Sequence, residues 1–82
     1  MVEETDYAVE LNNFLQQHPT GNLTPYFRYA MTQEGKNHNA VHTAKVIFRG
    51  ATYGEGTGND KGTAKRAAAK QALEHFKTYG VS

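Results

Sequence analysis

Three glycines at alternate positions, followed by an alanine-rich helical pattern, constrain this chain more than any other feature. They are Gly54, Gly56 and Gly58. Alternate residues of a strand point to the same face, so these glycines leave one strand face without side chains. The segment from Lys61 to about Tyr79 then has helical spacing, with a buried stripe predicted at Ala64, Ala68, Ala69, Ala72, Leu73 and Phe76. We therefore predict that this helix packs unusually close against the glycine strand.

The same glycines do not match the motifs that bind nucleotides. A P-loop needs its lysine directly after the last glycine, whereas Lys61 precedes Gly62. The dinucleotide motif G-x-G-x-x-G fails at Asn59, where it requires glycine. No small-molecule nucleotide site is therefore predicted. The alternative to a packing role is that Gly58 and Gly62 let the backbone at the helix entrance approach a ligand.

The residues before the glycines predict one more helix and two more strands. Asp6 can cap a helix over roughly 6–17, where apolar residues fall at helical spacing. Residues 26–31 and 41–49 alternate as strands do, and a turn at 50–52 leads into the third strand. The predicted fold class is therefore α+β, with the order α-β-β-β-α and a three-stranded antiparallel sheet.

The second strand indicates that only one side of the sheet is covered. Ala44, Val46 and Phe48 share a face with His42, while Lys45 points to the other face. This alternation of apolar and polar residues is typical of an antiparallel sheet with one buried and one solvated face.

Length and composition predict one small domain without a metal site. At 82 residues the chain suits a single domain, placed at 6–79 with short tails at 1–5 and 80–82. It has no cysteine, and the histidine pattern HNAVH lacks both the glutamate of zinc proteases and a third ligand. We predict no catalytic residue, no metal and no cofactor. Short apolar runs and an acidic N-terminus predict an intracellular protein that does not enter membranes.

The net charge of +1 conceals an asymmetry between the two halves of the chain. Residues 1–34 contain five acidic residues and one basic residue, a balance of −4. Residues 35–82 contain eight basic residues and three acidic ones, a balance of +5. The C-terminal half could therefore face a polyanion although the whole chain is nearly neutral.

Three polar clusters are candidates for ligand contacts, although each alone also fits an ordinary solvated surface. The first is Lys61 with Lys65, predicted to point away from the alanine stripe at a helix start that favours anions. The second is the predicted loop Gly35-Lys36-Asn37-His38 between the first two strands. The third is Asn13 with Gln16 on the first helix, whose uncharged amides suit ribose hydroxyls better than phosphates.

In this order the three clusters resemble those of double-stranded RNA-binding domains. The family pattern G-x-G-x-S-K-K-x-A-K-x-x-A-A-x-x-A-L appears as GTGNDKGTAKRAAAKQAL over 56–73. The helix pattern L-N-x-[YF]-x-Q appears as LNNFLQ, the strand entry P-x-Y as PYF, and the loop G-P-x-H as GKNH. The similarity extends over about 6–77, which is nearly the whole chain.

The resemblance implies that both helices cover one face of the sheet and that the domain lies along A-form RNA. Such domains span roughly 16 base pairs and contact two minor grooves and the intervening phosphates, mostly by shape. The resemblance implies that Asn13 and Gln16 contact ribose 2′-hydroxyls and that Lys61 and Lys65 contact phosphates. It also implies that the loop between the first two strands contacts the next minor groove. The loop residues are Lys36, Asn37 and His38. A module of a larger RNA-processing or RNA-silencing protein is the implied setting.

Three residues depart from the family pattern. Gly62 replaces a second lysine, Lys36 replaces the loop proline, and His42 replaces a core phenylalanine. A histidine at position 42 must be hydrogen-bonded or partly exposed. The alternative hypothesis is a protein partner or a homodimer on the same fold, with weak or no RNA binding. It draws on the missing lysine, the low net charge and Leu15, which the family pattern leads us to expect on the surface.

Overall fold

The computed structural model describes residues 6–19, 21–35 and 40–81. The described elements are α1 (Tyr7–Gln16), a 3₁₀ turn (Thr24–Tyr26), β1 (Phe27–Glu34), β2 (Val41–Phe48), β3 (Ala51–Gly58) and α2 (Lys61–Tyr79). The three strands form one antiparallel sheet in the order β1-β2-β3. The predicted α+β class and the α-β-β-β-α order are confirmed.

The strand ends differ from the sequence prediction at two places. β1 continues to Glu34 instead of ending near 31, because its polar end still pairs with β2 as far as Val41. The hairpin after β2 turns at Arg49 and Gly50, whose φ angles are 52° and 83°. Positive φ at both central residues is what a two-residue type I′ hairpin requires, so the turn ends before Ala51.

The core lies between the helices and one face of the sheet. Ala44, Val46 and Phe48 are fully buried, while Lys45 is exposed on the opposite face. Leu11 of α1 is fully buried, and α2 packs on β3 and β2. His42 is half-buried, in agreement with its predicted partial exposure.

The two helices lie side by side and run in the same direction. The Tyr7 ring at the start of α1 lies 5.7 Å from the Lys70 ammonium, and the Phe14 ring stacks on Phe76 at 6.5 Å. The contact that lies later in α1 also lies later in α2, so the two helices are parallel. This arrangement places the exposed sides of α1 and α2 next to each other, on the side of the sheet where the core lies.

The close contact between the glycine strand and α2 is confirmed. A Cβ atom built at Gly54 would lie 2.8 Å from the backbone nitrogen of Ala72. One built at Gly56 would lie 2.5 Å from the nitrogen of Ala68, which is closer than real Cβ contacts. The backbone of α2 therefore rests directly on β3, and the packing role of the glycines accounts for their spacing.

Leu15 is buried, which corrects the expectation that it is exposed. Its exposed fraction is 0%, and it belongs to the same core cluster as Leu11 and Phe48. Leu11 and Leu15 are four residues apart, so they occupy the same face of α1. Leu15, which the hypothesis of a protein partner or homodimer draws on, is therefore part of the core.

Candidate nucleic-acid interface

Asp60 caps the start of α2 and fixes where this helix begins. Its side-chain oxygen accepts a hydrogen bond of 2.7 Å from the backbone N–H of Thr63. Hydrogen bonds from Thr63 hold the pKa of Asp60 below its ordinary value, so the cap is ionised at neutral pH. The sequence analysis expected the free backbone N–H groups at the start of α2 to favour an external anion. The N–H of Thr63, however, already donates its hydrogen bond to Asp60.

The two lysines at the start of α2 lie in different surroundings. Lys61 is exposed, as expected, whereas Lys65 is half-buried. The Lys65 ammonium lies 5.5 Å from the centre of the Tyr29 ring. The expectation that Lys65 points away from the buried stripe is wrong, because position 65 falls between 68 and 69 around the helix axis. Ala68 and Ala69 are both fully buried.

Tyr29, in β1, is a residue that sequence reasoning missed. Its hydroxyl is buried and has no hydrogen-bond partner in the part of the chain that the structure describes. Burial, assisted by the charge of Asp6, raises the pKa of Tyr29 to about 12. The phenol is therefore neutral at physiological pH, and Lys65 meets the face of an uncharged ring. In the sequence, Tyr29 looks like any aromatic strand residue.

We expect Tyr29→Phe to stabilise the fold. The change removes a buried hydroxyl without a partner and keeps the ring, so the free energy of unfolding should rise by about 1 kcal/mol. Urea denaturation followed by circular dichroism measures this as a higher midpoint at an unchanged slope. A lower midpoint would show that the hydroxyl makes a stabilising interaction.

The exposed side of α1 carries uncharged polar groups. Asn13 and Gln16 are both exposed and lie three residues apart, so they are neighbours on the helix surface. Asn12 is also exposed, four residues before Gln16, and adds a third amide that sequence reasoning left out. Val9 is 53% exposed beside them. Asn12, Asn13 and Gln16 thus form an amide surface with hydrogen-bond donors and acceptors in one patch, bordered by the exposed carboxylate of Glu10.

A shallow groove separates the exposed sides of the two helices. Its volume is about 290 Å³, and its lining residues are Glu10, Asn13, Phe14, Gln17, Leu73 and Lys77. Asn13 therefore borders both the amide surface and the groove. The lining includes one acidic side chain from α1 and one basic side chain from α2, and the Phe14–Phe76 stack contributes to the packing between the helices.

The predicted loop contacts Lys36, Asn37 and His38 lie outside the described residues. The strand ends that flank them are described, because Glu34 pairs with Val41. The next pair along β2 joins His42 to Gly58, three residues before α2 starts. The strand ends that flank the β1–β2 connection and the residues that lead into α2 therefore lie at the same end of the sheet.

Within the described ranges there is neither a metal-binding cluster nor a helix that could span a membrane. Across 6–19, 21–35 and 40–81, no three His, Asp or Glu side chains gather in a group that could hold a metal ion. Neither described helix combines the length and the hydropathy that crossing a membrane requires.

The α-β-β-β-α fold carries a basic start on α2 and an exposed amide surface on α1. Residues 9–76 match the family described as the double-stranded RNA binding motif. The chain belongs to this family.

Curated relatives extend the comparison beyond the domain. The ribonuclease 3 of Desulforamulus reducens is 37% identical over 79 residues, which cover 96% of this chain and 31% of that protein. The ribonuclease 3 of Pelotomaculum thermopropionicum is 40% identical over 70 residues, covering 85% of this chain and 28% of the relative. The chain thus spans about a third of the length of the relatives it matches.

Proposed function

We propose that this domain binds A-form duplex RNA by shape, with α1 in one minor groove and the start of α2 on the adjacent phosphates. The observation that carries the proposal is the contrast between the two helices. α2 contains five Lys and Arg residues and a single acidic residue, Glu74. The amide surface of α1, formed by Asn12, Asn13 and Gln16, has no charge of its own, and the exposed carboxylate of Glu10 borders it. One helix suits a phosphate backbone, and the other suits a sugar edge.

The amides of Asn13 and Gln16 suit the ribose 2′-hydroxyl groups. An amide side chain both donates and accepts hydrogen bonds, and so does a 2′-hydroxyl. The wide, shallow minor groove of A-form RNA displays these hydroxyls where a helix surface can reach them. Asn12, exposed on the same side of α1, adds to this contact. Recognition of this kind distinguishes RNA from DNA without reading the base sequence.

Lys61 and Lys65 suit the phosphates across the intervening major groove. Each ammonium has three donors and no acceptor, and phosphate contacts carry no sequence information. The β1–β2 connection starts at the same end of the sheet, so Lys36, Asn37 and His38 are assigned to the next minor groove. The α1 surface, the α2 start and the connection would then contact the duplex along one side.

The longer relatives suggest the setting in which the domain works. They are named ribonuclease 3, and the chain matches about a third of each. We propose that residues 6–79 act as the RNA-binding module of an intracellular RNA-processing protein of that type, with 1–5 and 80–82 as tails. The module would hold the duplex, and cleavage would belong to another part of the protein.

Titration against matched duplexes tests the proposal. An RNA duplex of about 20 base pairs exceeds the span of one such domain. We expect it to bind more tightly than the DNA duplex of the same sequence at the same salt concentration. A second RNA duplex of shuffled sequence should bind equally well, because shape is recognised. Equal affinity for RNA and DNA, or no binding to either, would refute the proposal.

A further inference from the structure

The ammonium of Lys65 is held over an aromatic ring rather than left free in solvent. Its distance of 5.5 Å from the Tyr29 ring centre is within the range of cation–π attraction. Lys61, one helical turn earlier, is exposed, and its ammonium contacts no aromatic ring of the described residues. The two lysines assigned to phosphates thus differ in how they are positioned before RNA arrives.

We propose that Tyr29 is a positioning residue for RNA binding, whose ring holds the Lys65 ammonium ready to donate to a phosphate. This inference rests on the proposed function. The ring attracts the ammonium from one side, and a lysine has three N–H donors, so donors remain for an anion on the other side. An ammonium that is already in place needs less ordering when the ligand binds.

The neutral state of the phenol supports this role. A tyrosine is neutral at physiological pH at its ordinary pKa, and burial raises the pKa of Tyr29 further, to about 12. A phenolate would pair with the Lys65 ammonium and would repel an approaching phosphate. A neutral ring orients the cation and leaves its charge available.

A second ring–lysine pair offers a matched control on the same helix. The Lys70 ammonium lies 5.7 Å from the centre of the Tyr7 ring, which belongs to α1. Both pairs join α2 to another element, but Lys70 lies about two and a half helical turns after Lys61. Tyr7→Leu therefore removes a ring from beneath a lysine without changing the proposed phosphate contacts.

A double-mutant cycle on RNA affinity tests the coupling of Tyr29 to Lys65. Tyr29→Leu should weaken binding of the RNA duplex about two- to tenfold, because the freed Lys65 side chain must then be ordered when RNA binds. The same change in a Lys65→Ala background should have no further effect, whereas in a Lys61→Ala background the losses should multiply. Tyr29→Phe keeps the ring and should retain the wild-type affinity. Tyr7→Leu should also retain it.

A spectroscopic readout tests the contact without RNA. In the wild-type protein the ring current of Tyr29 should shift the Lys65 Hε proton signals upfield, and Tyr29→Phe should preserve the shift. Tyr29→Leu should abolish it. If the leucine variant does not fold, Tyr29→Met fills the space with a flexible side chain and serves instead.

The outcomes separate this inference from the proposed function. If Tyr29→Leu weakens binding by the same factor with and without Lys65, the ring does not act through the lysine and the inference is wrong. An absent ring-current shift in the wild type also contradicts it. If Lys65→Ala alone leaves RNA binding unchanged, the proposed phosphate contact itself fails.

Discussion

Gly56→Ala should strongly destabilise this domain, because it adds a methyl group where β3 and the backbone of α2 are in contact. The new Cβ would lie 2.5 Å from the nitrogen of Ala68 and 2.8 Å from the oxygen of Ala64. Both are backbone atoms of α2 and cannot rotate aside, so the helix must move away from β3. Overpacking of this kind costs about 3 kcal/mol. In a domain of this size the loss lowers Tm by more than about 10 °C, measurable by differential scanning calorimetry.

Gly62→Ala is the matched control, because it adds the same methyl group to a site with room. A Cβ at Gly62 would lie 3.4 Å from the Arg66 guanidinium and from the Asp60 carboxylate, both of which are side-chain ends that can shift. Alanine also favours helix over glycine by about 0.5–1 kcal/mol, so this variant should be more stable than wild type. Equal melting temperatures for the two variants would contradict the close contact between β3 and α2.

Lys61→Ala and Lys65→Ala should each weaken duplex RNA binding by about tenfold, whatever the RNA sequence. Each removes one phosphate contact, so the slope of log K against log salt concentration should become shallower by about 0.9 per lysine. Gly62→Lys should act in the opposite direction, because it restores the lysine of the family pattern at an exposed position. Fluorescence anisotropy at several salt concentrations measures affinity and slope together.

Lys45→Ala is the control for the loss of charge alone. Lys45 is exposed between the buried residues Ala44 and Val46, so it points away from both helices. Its removal lowers the net charge by the same amount as Lys61→Ala but should leave the salt slope unchanged. A similar slope change in all three lysine variants would mean that binding follows net charge and not the α2 start.

Local patterns in the sequence were sufficient to predict the order of the helices and strands. The spacing of Gly54, Gly56 and Gly58 predicted both the strand and the closeness of α2, because the alternation of a strand is a property of neighbouring residues. Where local and tertiary constraints differ, the prediction failed. The polar end of β1 looks like a loop until its pairing with Val41 is known. Leu15 was placed on the surface by a family pattern, although its spacing from Leu11 fits the core.

The candidate site was predicted less completely, because its key contact joins distant parts of the chain. Asn13, Gln16 and Lys61 are exposed as expected, since helical spacing alone decides their direction. The contact of Lys65 with Tyr29 links α2 to β1, and only the folded arrangement brings the two residues together. No sequence motif indicates the Lys65–Tyr29 contact, because lysine is common in helices and tyrosine is common in strands.

The contact between β3 and α2 also has an entropic consequence for so small a domain. Burying a long side chain costs rotamer entropy, whereas glycine and alanine have no rotamers to lose. The glycine face of β3 and the alanine stripe of α2, Ala64, Ala68 and Ala72, therefore associate without that cost. Rotation of side chains cannot produce alternative packings at this interface. At this interface the helix that carries Lys61 and Lys65 is thus held against β3 by contacts that fix no side-chain rotamer.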